Sequence, residues 1–118
     1  MCTAVRILVA ASSREGRLAL RRASVTAEWE VVGEAADADT AVRDAVELRA
    51  RFLVIEAGAA GPRPEVAVRR LKSLAPTAFV VGVGDIPGAD ASVDPGHLDG
   101  LRDAMAGLLH DSGDHSHG

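Results

Sequence analysis

With 118 residues, 47% apolar and 25% charged, the chain is long enough for one domain with its own core, and this balance excludes a low-complexity or disordered protein. A net charge of −4 excludes a broadly basic nucleic-acid surface. The single cysteine, Cys2, excludes an internal disulfide, and the N-terminal apolar run, broken by Arg6, is too short for a signal peptide or a membrane span. The expected setting is cytoplasmic, with no membrane and no nucleic acid as partner.

Val5–Ala10 is apolar except for Arg6, the pattern of a strand buried on both faces. Ser12 or Ser13 can cap the helix that follows. Leu18 and residues 20–23 supply its apolar side, and Arg14, Arg17, Arg21 and Arg22 lie elsewhere. Residues 30–35 read as a second strand, and Asp37 as the N-cap of a helix with Ala38, Ala41, Val42, Ala45 and Leu48 at core spacing. Residues 52–55 form a third strand that ends at Glu56. The run Gly58-Ala-Ala-Gly61-Pro62-Arg-Pro64 forbids a continuing element and reads as a loop.

Residues 66–75 predict a helix with Ala67, Val68, Leu71 and Leu74 inward, stopped by Pro76. Phe79–Val83 is the fourth strand, residues 84–88 a turn, and Ala91–Val93 a short fifth strand. Leu98, Leu101, Met105, Leu108 and Leu109 mark a last amphipathic helix, weakened by Gly100 and Gly107. The domain is expected to span residues 1–109. Residues 110–118 are expected to be a disordered polar tail carrying His110, His115 and His117.

Strands alternating with helices imply right-handed crossovers and a parallel α/β sheet, doubly wound, with helices on both faces. One covering helix is missing, because Gly84-Asp-Ile-Pro-Gly-Ala-Asp90 has no helical periodicity. Its absence would uncover one face of the fourth and fifth strands, where Phe79 or Val80 and Val81 or Val93 would point outward, and Phe79, Val81 and Val93 are taken as candidate interface residues. Either the loop folds back over that face or a partner covers it. Ligands of open parallel sheets bind at the carboxyl ends of the strands. Ala11, Ser12 and Gly84 at that edge are small and uncharged, which points to a binding module rather than an enzyme.

The ordered runs Val5-Arg-Ile-Leu-Val-Ala10, Glu30-Val-Val-Gly-Glu-Ala-Ala-Asp37 with Ala41-Val42, Phe52-Leu-Val-Ile-Glu56, Leu71-Lys-Ser-Leu-Ala-Pro76 and Gly88-Ala-Asp90 resemble the receiver domain of bacterial response regulators. That domain is phosphorylated on an aspartate by sensor histidine kinases in two-component signal transduction. The resemblance covers residues 4–109 and implies a flavodoxin-like, five-stranded sheet of order 2-1-3-4-5.

The family's chemistry fails at each corresponding position. The acidic pair that helps to hold Mg²⁺ is replaced by Ala11 and Ser12, and the phosphoaccepting aspartate by Glu56. Val83 and Gly84 stand where a hydroxyl residue is expected, and Asp94-Pro95 where a lysine, usually followed by proline, ends the fifth strand. Ala91 or Ser92 replaces the aromatic switch residue. The only lysine in the chain, Lys72, lies on the helix after the third strand. Phosphoryl transfer to a carboxylate depends on a divalent cation and a fixed positive charge. The implied protein is a pseudo-receiver, a phosphoacceptor pocket that has degenerated, with no cofactor and no metal.

Other readings of the same residues are weaker. Glu56 as a permanent mimic of phosphoaspartate lacks a hydroxyl and a lysine to receive it, and a solvated strand-end carboxylate is the simpler reading. Glu56, Asp85 and Asp94 could hold a cation in a new arrangement, or simply repel one another. The tail histidines lack a preformed site. Ser12 and Ser13 lack a histidine base before His97. The expected function is that of a stand-alone atypical receiver-like protein, acting by contact with a protein partner or as a homodimer. The alternative is a small-ligand sensor in the crevice at the strand ends.

Overall fold

The structure, a computed structural model, describes residues 5–26 and 28–115, with side chains described as far as His110. Cys2 and His117 lie outside the described residues. Five parallel strands form one sheet in the order β2-β1-β3-β4-β5, as the sequence implied. They are β1 (Val5–Ala10), β2 (Trp29–Ala35), β3 (Phe52–Glu56), β4 (Phe79–Val83) and β5 (Ala91–Val93). The helices are α1 (Arg14–Ser24), α2 (Ala38–Glu47), α3 (Pro64–Leu74) and α4 (Leu101–His115).

The two central strands, β1 and β3, bury Ile7–Ala10 and residues 52–55 completely or nearly so, because helices cover both of their faces. On one side Leu8, Ala10, Leu53, Ile55 and Val80 pack under α2 and α3 through Ala41, Val42, Ala45, Val68 and Leu71. On the other side Ile7, Val9, Phe52, Val54, Val81, Val83 and Val93 pack under α1 and α4 through Leu20, Leu101 and Met105. Both N-caps foreseen in the sequence form. The Ser13 hydroxyl accepts the Gly16 N–H at 3.0 Å, and the Asp37 carboxylate accepts the Thr40 N–H at 2.8 Å. Those bonds hold the Asp37 carboxyl below the usual carboxylate range, the Thr40 backbone N–H being the main cause.

The stretch between β4 and β5 carries no helix, as expected from its sequence. The face left bare was misassigned, however. Side chains alternate along a strand, and Phe79, Val81 and Val83 point toward α1 and α4 while Val80 and Gly82 point toward the missing helix. Val81 is fully buried and Val93 is 9% exposed, so neither is free to contact a partner. Phe79 is half-buried, stacked on Phe52 at 5.5 Å between ring centroids, with the Arg51 guanidinium 5.2 Å above its ring. The loop itself covers the bare face. Ile86, 4% exposed, lies over Gly82, where an added Cβ would stand 3.0 Å from the Ile86 Cβ.

Three other boundaries and faces differ from the sequence reading. α3 begins at Pro64, inside the expected loop, since proline is tolerated in a first helical turn. Leu18 and Leu74, expected inward, are 45% and 58% exposed, because α1 buries Leu20 and Ser24 and α3 buries Val68 and Leu71 instead. The last helix starts with a 3₁₀ turn at Leu98–Gly100 and continues to His115, past residue 109. No helix among the described residues is long and apolar enough to cross a membrane.

Candidate functional site

The carboxyl ends of β1, β3, β4 and β5 bring together the positions singled out in the sequence. Glu56 ends β3 opposite Val83 in the register with β4. Its carboxylate turns back toward β1, and the Ser12 hydroxyl donates to Oε1 at 3.3 Å. Two glycines leave room for this pose. A Cβ at Gly16 would stand 3.1 Å from Oε2, and one at Gly58 would stand 3.2 Å from Oε1. Gly16 lies in the first turn of α1, so the anion rests where the helix dipole favours negative charge. The sequence reading missed both glycines, although their positions after β1 and β3 were a readable signal of close approach.

Ala11 is fully buried and contributes only backbone here, its carbonyl accepting a bond from Arg17 Nη1 at 3.0 Å. Val83 buries its side chain beneath α1 and α4. Gly84 has φ +102, and an added Cβ would meet the Ala57 Cβ at 3.0 Å. A hydroxyl-bearing residue is therefore strained at this position on two counts. Asp94 bonds within its own turn: its Oδ1 accepts the Gly96 N–H at 2.8 Å, and its Oδ2 lies 3.6 Å from His97 Nδ1. The Asp94–Pro95 peptide is trans.

Lys72 is far from this group. It donates to the Ala78 carbonyl at 2.9 Å and pairs with Asp90, at the start of β4 rather than its end. Asp90 Oδ2 also accepts the Val80 N–H at 2.7 Å, and the Asp90 N–H donates to the Val80 carbonyl at 2.8 Å. The sole lysine thus clamps the loop that replaces the missing helix.

Asp85 and Asp94 line an open crevice of about 370 Å³ with Gly84, Ser92, Val93 and Pro95, and Glu56 is not part of its wall. The receiver-type Mg²⁺ site needs several oxygen ligands converging on one point. Ala11 supplies no side-chain oxygen, Ser12 a hydroxyl engaged by Glu56, and Asp94 is folded into its own turn. Among the described residues no group of three or more His, Cys, Asp or Glu could hold a metal ion. The residues present do not fit the ion.

No protein-family model matches the chain, and no curated protein matches it. Solved structures do. The non-phosphorylated receiver domain of the stress response regulator RcsB from Escherichia coli superposes with a TM-score of 0.76 at 16% identity, covering 92% of this chain and 95% of that one. The receiver domain of AraT, a response regulator from Geobacillus stearothermophilus, matches with a TM-score of 0.73 at 16% identity, over 93% and 99% of the two chains. A LuxR-family two-component response regulator from Aurantimonas sp. SI85-9A1 matches with a TM-score of 0.70 at 23% identity, over 89% and 87%. The chain has the fold of response-regulator receiver domains.

Proposed function

We propose that the chain is an atypical receiver-like module of two-component signal transduction that takes no phosphoryl group by the aspartate route and acts through protein–protein contact in the cytoplasm. It is not an enzyme, and its partner is another protein or a second copy of itself. One observation carries this reading: the strand-end carboxylate, Glu56, accepts from the Ser12 hydroxyl beside the first turn of α1, and among the described residues there is neither a metal-holding cluster nor a lysine beside it. Phosphoryl transfer without those charges has no electrostatic stabilisation of its transition state.

Phosphorylation of a receiver-like chain that associates with itself in response would shift its oligomeric state when a phosphodonor is supplied. This chain should show no shift. Sedimentation velocity over a dilution series, with and without acetyl phosphate and Mg²⁺, should give the same distribution in both conditions. A donor-dependent shift to a larger species would overturn the reading. The open crevice at Gly84, Asp85 and Ser92 favours a second reading, a small-ligand sensor. A thermal-shift screen separates the two, since a ligand that binds only the folded state raises the Tm.

A further inference from the structure

Another cavity, of about 410 Å³, lies away from the strand-end site, between the first turn of α2, the β3–α3 loop and α3. Its volume falls within the ~300–1,000 Å³ of small-molecule pockets. Its floor is Ala59 and Ala60, 5% and 4% exposed, and Ala38, Val66 and Ala67 form its sides. Where two helices and a loop meet through alanines, the side chains are too short to fill the space between them. Val66 is left 39% exposed as a result.

Four charged residues surround this apolar floor, and three of them already have a partner. Arg70 Nη1 pairs with Asp39 Oδ1 at 3.1 Å, bridging α3 to α2. Asp37 is tied to the Thr40 N–H and faces the positive end of the α2 dipole. Arg63 remains. Among the described residues its guanidinium has neither an ion-pair nor a hydrogen-bond partner, and it stands on the cavity wall. A planar, weakly hydrated cation beside an apolar recess is suited to a carboxylate that carries a hydrophobic body.

We propose that the α2–α3 cavity binds a small organic acid, with its carboxylate on Arg63 and its apolar part over Ala59, Ala60 and Ala67. The inference is independent of the signalling reading, because neither the Glu56 and Ser12 side chains nor the residues of the crevice at Gly84 line the cavity.

The test is an amide-resolved NMR titration of the full chain with 4-phenylbutyrate and, separately, with its uncharged amide. The acid should shift the amides of Ala38, Ala59, Ala60 and Ala67 in a saturable way. Arg63→Gln, an exposed change that leaves the core untouched, should weaken the acid about tenfold and leave the amide unaffected. Ala67→Leu should abolish both by filling the space. Absence of saturable shifts, shifts centred elsewhere, or equal weakening of acid and amide by Arg63→Gln would each overturn the proposal.

Discussion

At the scale of single residues, the strand-end site is defined by the contacts that Glu56 and Gly84 make. Glu56 is one methylene longer than aspartate, and that length lets its carboxylate fold back onto Ser12 and the α1 first turn instead of standing free. Gly84 explains the absent hydroxyl. Its positive φ and the 3.0 Å approach of Ala57 mean that Gly84→Ser should lower unfolding free energy by about 1–3 kcal/mol in urea denaturation. Full stability in that variant would show that the glycine is dispensable. Asp37 gives a pH-dependent test. The Thr40 backbone N–H holds its folded pKa below the usual carboxylate range, so the α2 cap contributes stability above the unfolded pKa and loses it as pH falls through the folded pKa. Asp37→Asn, which still caps, should keep neutral-pH stability and flatten this part of the acid limb of a Tm-against-pH profile.

Among the secondary elements, the region between β4 and β5 is the most informative. Here a loop performs a helix's covering role, with Ile86 closing over Gly82 and Asp90 pairing with Val80 and Lys72. Asp90→Ala leaves the Val80 N–H without its side-chain acceptor and should cost about 1–3 kcal/mol. Ile86→Ala should cost about 2–5 kcal/mol by opening a cavity over β4. Both are read from urea midpoints, and losses under 0.5 kcal/mol would mean that the loop is not a structural cover.

The strands, the caps at Ser13 and Asp37 and the missing helix were all legible, because hydrophobic periodicity and capping residues act locally. The choice of bare face was not. It depends on the parity of β4, and Val80 and Val81 are identical in the sequence while facing opposite sides of the sheet. The α2–α3 cavity was equally hidden. Alanines such as Ala59 and Ala67 look like ordinary core until the distance between two helices is known.

For the molecule as a whole, the sheet order and the superpositions on receiver domains establish the scaffold, and the proposed departure from receiver chemistry rests on the residues at the strand ends. The parts that move charge are dispersed. Glu56 is held at α1, Asp94 lies in its own turn, and Lys72 sits at the opposite end of β4. No small side-chain rotation reunites them, since the lysine is separated from the others by the length of the strand.

Whether this chain can carry a phosphoryl group therefore comes down to its own carboxylates. The most direct measurement is the intact mass of the chain after incubation with acetyl phosphate and Mg²⁺, with peptide mapping of any product. An unchanged mass is the predicted result. A single phosphoryl adduct on Glu56 would contradict the proposed reading, because that bond needs a divalent cation and a fixed positive charge beside the carboxylate.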